Sequence, residues 1–313
     1  MPEQSATHVA DRTQLIGIAI AACGSILMSF GAVMIRQIET ATSWQIIFYR
    51  SIGLFAGLFL LFAIRNRGHI HASLSAGFTR AVAAGPFQAL ASIFFILALT
   101  HTTIANAMMT LSATPLVVAA LGWLVLHEQV TRLTLAAMIV AGIGIALMTI
   151  DGVTIGTGLG SIFAIATVLS FAMYIVMLRR GSRNGDVDML PAVLVGALVA
   201  GCVSLFALPS FHIGMHDLIV CLTWGAAVQT IGVALVMTSA RYISAGEISL
   251  MVLFESVCGP IWAWLFVGEV PRVMTIVGGS LAIGAIAVWL LIRIQQDRTN
   301  RRLVATVPSE GIP

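Results

Sequence analysis

The chain has 313 residues, of which 59% are hydrophobic and 9% are charged, and its formal net charge is +3. Soluble domains carry about 25% charged residues, so this composition excludes a soluble protein and leaves no length for a soluble catalytic domain. All sixteen basic residues are arginine. We expect their positions to report membrane orientation, with no nucleic-acid partner.

Ten apolar runs, bounded by charged or turn-forming residues, are each long enough to cross the hydrocarbon core, which takes about 20 helical residues. In chain order the predicted spans are 15–35, 44–64, 81–99, 104–126, 133–150, 159–178, 189–208, 218–237, 248–267 and 273–292. Runs of this length, without the alternation of barrel strands, predict helices. The predicted fold class is therefore an all-α integral membrane protein with ten transmembrane helices in the lipid bilayer.

The arginines are distributed unevenly between the two ends of these spans. If the N-terminus is inside, thirteen of the sixteen lie on the cytoplasmic side, whereas Arg36 and Arg272 lie outside and Arg50 lies within a helix. The cytoplasmic set is Arg12, Arg65, Arg67, Arg80, Arg132, Arg179, Arg180, Arg183, Arg241, Arg293, Arg298, Arg301 and Arg302. The positive-inside rule then predicts a multi-pass protein of the bacterial inner membrane with both termini cytoplasmic.

The second half of the chain repeats the first at an offset of 141 residues. Three pairs of rare residues coincide at this offset: Gln88 with Gln229, Trp123 with Trp264, and Glu128 with Glu269. An odd number of spans per copy inverts the second copy, which predicts a 5+5 inverted repeat, an architecture typical of transporters. The predicted divisions are an N-terminal tail (1–14), a first repeat (15–150), an inverted second repeat (155–294) and a C-terminal tail (295–313), both tails being cytoplasmic.

The residues around the fourth and ninth spans resemble a known signature. The first copy runs from Ala98 to Ala107, through Thr114-Pro115-Leu116, to His127-Glu128; the second runs from Ser239, through Glu255 and Pro260, to Gly268-Glu269. This pattern resembles EamA-type members of the drug/metabolite transporter superfamily, over residues 12–294. The resemblance implies a ten-helix carrier with a central cavity, and related carriers export amino acids and their derivatives or move other small metabolites. The first copy has His127 where the second has Gly268.

Two ionisable residues lie within predicted spans, where a charge is costly and therefore suggests function. At the helical rise, Glu255 lies roughly 10 Å from the cytoplasmic boundary and Arg50 roughly 9 Å from the outer one. Arg50 is a candidate anchor for a substrate carboxylate, although it could instead snorkel outward or form a structural pair. Glu255 is a candidate recognition or proton-coupling acid, or a neutral carboxyl group bonded between helices.

Other polar and aromatic residues could line the same cavity. On the fourth span Thr103, Asn106, Thr110 and Thr114 recur at helical spacing, either as a cavity lining or as interhelical contacts. The amides of Gln88 and Gln229 can donate to and accept from a zwitterionic substrate. Trp262 is a candidate aromatic contact, or alternatively fills a helix interface.

Two further features concern packing. Ala137 and Ala141 on the fifth span correspond to Gly278 and Ala282 on the tenth, and such small-residue faces predict close contact, either within the protomer or in a homodimer. Glu128, which stands just before the fifth span, is predicted to cap that helix, as is Glu269 for the tenth.

The motifs needed by enzymes or primary pumps are absent, since the sequence has no HExxH, P-loop or GxSxG. We therefore expect no enzyme, no catalytic residue, no cofactor and no metal site. The function favoured is secondary transport of a small-molecule substrate, an amino acid or related compound in the export direction, with protons as a candidate coupling ion. The alternatives are a carrier of amines, nucleosides or vitamins, and a non-transporting scaffold or receptor.

Overall fold

The computed structural model describes residues 2–66, 70–102, 107, 110–149, 158–183, 190–268, 270 and 273–306, and every regular element within them is helical. The helices are α1 (Pro2–Met28), α2 (Gly31–Arg36), α3 (Ser43–Asn66), α4 (Ile70–His101), α5 (Thr114–Leu126), α6 (Arg132–Thr149), α7 (Gly158–Arg183), α8 (Leu190–Ala207), α9 (Met215–Thr223), α10 (Thr230–Ser239), α11 (Ala245–Val267) and α12 (Val273–Thr306). A π-helical turn, Trp224–Gln229, joins α9 to α10.

The prediction of an all-helical membrane protein is confirmed. Among the described residues, eight helical segments are long and apolar enough to cross a bilayer, and two shorter apolar helices, Thr114–Leu126 and Arg132–Leu147, accompany them. Large apolar side chains lie on the outer surface; Phe206 is 91% exposed and Ile64 is 66% exposed. Such a surface is stable only against lipid. The count of ten spans stays a prediction, because the predicted span 104–126 begins outside the described residues.

Helices of the two halves pack against each other in matching pairs. Helix α4 packs on α7 and α8, and its counterpart in the second half, formed by α9, the π-helical turn and α10, packs on α1 and α3. Likewise α5 packs on α7 as α11 packs on α1, while α3 with α8, α5 with α11 and α6 with α12 are self-matching pairs. This is the pairing expected of two copies related by a twofold axis, and it supports the proposed 5+5 repeat.

The small-residue faces of α6 and α12 pack on each other. A Cβ atom at Gly144 would lie 2.6 Å from the backbone oxygen of Gly278, and Ala141 and Ala282 are fully buried. The within-protomer alternative is therefore the arrangement found. A homodimer would have to use another surface.

The turn after α5 has the same geometry as the turn after α11. His127 has φ 54° and Gly268 has φ 78°, and their N–H groups donate to the carbonyls of Trp123 and Trp264 at 3.1 and 3.2 Å. The difference in sequence at His127 therefore leaves the left-handed turn unchanged, although a side chain is strained there.

The predicted capping role of Glu128 is wrong. Its carboxylate accepts hydrogen bonds from Arg179 Nε on α7 (3.0 Å) and from the N–H of Ala245 at the start of α11 (3.4 Å). The hydroxyl of Thr131 caps α6 instead, accepting from the N–H of Thr134 at 3.2 Å. An acid near a helix start is free to bond elsewhere when a Thr supplies the cap. Glu269 lies outside the described residues.

Candidate functional site

Arg50 lies inside the helix bundle. Its side chain is on α3 and is only 4% exposed, so it does not snorkel to the surface. The guanidinium donates a hydrogen bond to the hydroxyl of Ser92 on α4, and its carbon lies 4.9 Å from the ring centroid of Trp224. One face of the cation is therefore covered by an indole, a contact worth about 2 kcal/mol when water is excluded.

Glu255 on α11 is the carboxylate with which Arg50 interacts electrostatically. The two groups interact electrostatically, yet among the described residues they form no direct ion pair, unlike Arg179 and Glu128 at 3.0 Å. Two opposite charges inside a membrane protein are stabilised by each other across the interior. Because they are not in contact, both can still engage a molecule placed between them.

Trp262 extends the site along α11. It follows Glu255 by two helical turns, so the two side chains lie on the same face of the helix. Its indole N–H donates to the hydroxyl of Ser29 at 2.7 Å, and its ring stacks on Phe30 with centroids 4.4 Å apart. Trp262 therefore connects α11 to the point where the first span is interrupted.

The first span has a one-turn break in its regular α-helix at Ser29 and Phe30, between the end of α1 at Met28 and the start of α2 at Gly31. The backbone N–H groups of Ser29 and Phe30 still donate to the carbonyls of Ser25 (3.0 Å) and Leu27 (3.2 Å). The indole of Trp224 lies directly against Gly31, where a Cβ atom would be 3.0 Å from its Nε1. Glycine permits this approach, since any side chain here would require the indole to shift. The break is thus flanked by Trp224 on one side and Trp262 on the other, and broken helices mark binding sites in many transporters.

The π-helical turn holds Trp224 beneath Arg50. A Cβ atom at Gly225 would collide with the backbone oxygen of Arg50 and lie 2.6 Å from the backbone N of Leu54, so the two chains are in backbone contact here. The extra residue in the turn is accommodated by Thr230, whose hydroxyl donates to the carbonyl of Gly225 at 2.9 Å. Such turns occur frequently at functional sites.

Gln88 and Gln229 share an unusual property. The side-chain oxygen Oε1 of each is buried and, within the described part of the chain, accepts no hydrogen bond. An unpaired buried amide oxygen costs about 1–3 kcal/mol. The Gln88 oxygen lies directly against the position that a Cβ atom would take at Gly196, so the contact between α4 and α8 encloses it. Buried polar atoms without a partner call for an explanation, and for Gln229 a ligand donor would be one.

The polar stripe predicted on the fourth span contributes less to the candidate site. The hydroxyl of Thr114 donates to the carbonyl of Leu111 at 2.6 Å, so a backbone group just before α5 satisfies it. Thr110 is partly buried one turn earlier. Thr103 and Asn106 lie outside the described residues.

A separate cavity of about 440 Å³ lies at the end of the bundle that contains Arg179. Arg179, Arg241 and Glu247 line it. The Glu247 carboxylate accepts from the Gln14 amide at 3.0 Å and from the N–H of Ser244 at 2.9 Å. Glu247 therefore belongs to a capping box at the start of α11, and its role is distinct from that of Glu255.

Sequence reasoning named Trp224 only as one of several aromatic residues that could contact a substrate, and it did not single out Ser92 or the break at Ser29. Trp224 carries one signal, an aromatic ring in the middle of a predicted span. For Ser92 and Ser29 the local sequence contains none, because a small polar residue in an apolar helix indicates equally an internal backbone bond.

Comparisons with known proteins agree with this architecture. The sequence model of the EamA-like transporter family matches residues 15–150 and 158–291, which cover both halves of the chain. No curated protein matches. One solved structure, described only as the crystal structure of a protein, superposes with a TM-score of 0.77 over 90% of this chain and 99% of that one, at 15% identity. Identity this low shows a shared fold alone.

Proposed function

Because the chain belongs to the EamA-like transporter family, we propose that it is a secondary transporter that exports an amino acid or a related small metabolite across the bacterial inner membrane. Transport proceeds by alternating access between two states of the helix bundle. The substrate binds between Arg50 and Glu255, inside the membrane. Family membership supports a transporter of small solutes. The binding site and the substrate class are our proposal.

The observation that carries the proposal is the arrangement of Arg50 and Glu255. Arg50 is buried on α3, Glu255 is partly buried on α11, and the two groups are close enough to interact electrostatically without an ion pair among the described residues. A zwitterion placed between them would present its carboxylate to the guanidinium, which binds carboxylates in two places, and its ammonium to the acid. Each buried charge would then gain a partner that the protein alone does not supply.

The remaining residues of the site suit the other parts of such a substrate. Phe30 and Trp262 are stacked aromatic rings that can pack against an apolar side chain. The amide oxygen of Gln229 is an acceptor for an additional N–H or O–H group. The indole of Trp224 supports Arg50 from below, which keeps its donors oriented toward the substrate.

Glu255 is the group we assign to proton coupling. In this mechanism its carboxyl group binds a proton in one state and releases it in the other, so that substrate and proton use the site alternately. The break at Ser29 and Phe30 and the π-helical turn at Trp224–Gln229 are the places where the backbone departs from regular α-helical geometry, and we assign the rearrangement to them.

The test is a binding screen with matched ligands. The purified protein is heated with an amino acid, its amide, its N-acetyl form and the decarboxylated amine, and then with nucleosides and vitamins. A ligand that binds the folded state raises its melting temperature. We expect the zwitterion to stabilise most, and the same compound to exchange across proteoliposomes. Equal stabilisation by the amine would refute the carboxylate anchor, and absence of any exchange would favour a scaffold or receptor.

A further inference from the structure

Asp217 holds a neighbouring loop through an unusual number of hydrogen bonds. It lies in the first turn of α9 and is 2% exposed. Its two carboxylate oxygens accept from the N–H groups of Glu39 (3.1 Å), Thr40 (2.9 Å) and Ala41 (3.0 Å), and from the Thr40 hydroxyl (2.8 Å). All four donors belong to the loop between α2 and α3. Hydrogen bonds to a charged acceptor are among the stronger ones in proteins.

Further bonds join the same two regions of the chain. Side chains of α3 bond to the segment just before α9: Gln45 to the carbonyls of Ser210 (3.2 Å) and His212 (2.9 Å), and Tyr49 to the carbonyl of Phe211 (2.7 Å). In the first turn of α9, the ring of His216 bonds to the carbonyl of Gln37 (3.1 Å). The end of the bundle that contains Asp217 is therefore closed by side-chain bonds to backbone groups. Such contacts can be exchanged for water without disturbing a hydrophobic core.

The loop held by Asp217 continues into α2, and α2 begins at the break in the first span. Residues 30–42, the gate segment, are thus held at both ends. At the inner end Phe30 stacks on Trp262 and Gly31 abuts Trp224. At the outer end the carboxylate of Asp217 binds residues 39–41. The interrupted helix at Ser29 and Phe30 provides a hinge next to the proposed substrate site.

Helix α9 joins the outer contact to the site. Asp217, Cys221 and Trp224 recur at spacings of four and three residues, which places them along one face of the helix. Cys221 is fully buried in the same apolar cluster as Trp224, and Trp224 lies under Arg50. A movement that separates α9 from the gate segment would therefore uncover Cys221 and the Arg50 side chain together.

We propose that the gate segment closes the Arg50–Glu255 site at the Asp217 end of the bundle, and that Asp217 is its latch. The latch belongs to one end only, because the residue 141 positions before Asp217 is Ala76. The role of this gate in transport rests on the proposed function. The opening that it describes is a property of the protein and can be measured without any substrate.

Cys221 is a native reporter of this opening. In a protein with Cys23, Cys202 and Cys258 changed to Ser, a charged methanethiosulfonate reagent is applied to nanodiscs, where both faces are accessible. The labelling rate of a buried thiol follows the population of the open state. We expect Asp217→Asn to raise that rate by about tenfold or more, since an amide cannot accept the four hydrogen bonds. Thr40→Val, which removes only the hydroxyl donor, should raise it less.

Two controls make the result specific. Glu39→Gln removes a negative charge from the same loop, but the side chain is exposed and only its backbone N–H binds Asp217, so the rate should stay unchanged. A second reporter, Met138→Cys in the Cys-free background, is fully buried away from the latch and should remain slow in every variant.

The latch is refuted if Asp217→Asn labels Cys221 at the parent rate. It is also refuted if Asp217→Asn accelerates labelling at both reporters, because the acid would then stabilise the fold as a whole. The proposed function is judged separately, by ligand binding and exchange. If Asp217→Asn selectively accelerates labelling of Cys221 but the protein transports nothing, the gate is supported and the transporter assignment is wrong. If the protein transports a substrate but Cys221 labelling does not change, the transporter assignment is supported and the gate is wrong.

Discussion

The guanidinium of Arg50 lies over the indole of Trp224, with its carbon 4.9 Å from the ring centroid, and donates a hydrogen bond to Ser92. These contacts come from α4 and from the π-helical turn, and they hold the guanidinium inside the bundle. A buried arginine held in this way is a binding group of defined orientation. A substitution that keeps the positive charge and removes the planar donor geometry can therefore separate their contributions to binding.

Arg50→Lys keeps the positive charge and removes the planar, two-point donor. We expect affinity for a carboxylate-bearing substrate to fall by about tenfold or more, since lysine binds as a point charge. Affinity for the matched amine should change little. Isothermal titration of both ligands on the parent and the variant measures the difference. Equal losses for the two would show that Arg50 supports the fold and does not read the carboxylate.

Glu255→Gln keeps the shape of the side chain and removes its capacity to carry a proton. If Glu255 couples transport to protons, the variant should exchange substrate across proteoliposomes but fail to accumulate it when a pH gradient is imposed. Glu39→Gln, which removes an exposed acid outside the spans, is the control and should accumulate normally. Accumulation by Glu255→Gln at the parent level would make Glu255 a structural residue.

The inverted topology makes a prediction about accessibility from each side. In a Cys-free background, Arg180→Cys should be labelled by an impermeant reagent only from the cytoplasmic face, and His212→Cys only from outside. Both side chains are exposed, so neither change disturbs packing. Labelling of both from one face would contradict the inverted repeat.

The two left-handed turns differ in one testable way. A non-glycine residue in this conformation costs roughly 1–2 kcal/mol. His127→Gly should therefore raise the melting temperature, whereas Gly268→Ala should lower it. A Cβ atom at Gly268 meets nothing within 4 Å, so that loss would report the backbone conformation alone. Thermal unfolding in detergent, followed by tryptophan fluorescence, measures both changes. Opposite signs are expected, and a stabilising Gly268→Ala would contradict the turn geometry.

The contact between α3 and the π-helical turn should tolerate no side chain. In Gly225→Ala the Cβ atom would meet backbone atoms of Arg50 and Leu54, which cannot rotate away. We expect lower thermal stability and loss of substrate binding. Gly284→Ala on α12 is the matched control, because nothing lies within 4 Å of its Cβ position and alanine favours the helix by up to about 1 kcal/mol. Equal stability of the two variants would mean that the helices are not in backbone contact.

The sequence by itself determined the class of protein. Apolar runs of spanning length must satisfy their own backbone hydrogen bonds in lipid, so they predict helices without knowledge of their neighbours. The offset of 141 residues also predicted that His127 and Gly268 end equivalent helices, and the structure shows the same turn at both. Family membership followed from the same local patterns, since the family model matches residues 15–150 and 158–291.

Tertiary structure alone decided which polar residues meet. Hydropathy assigns Arg50 and Thr114 to the membrane interior equally, but it does not say which helix faces each of them. Packing placed Trp224 and Ser92 around Arg50, whereas the hydroxyl of Thr114 bonds to the nearby backbone carbonyl of Leu111. The partner of Glu128 could not be predicted either, because Arg179 lies 51 residues away and reaches it only after α5 and α7 have packed together. Side-chain partners depend on how helices cross, and a helical period in the sequence carries no information about the crossing.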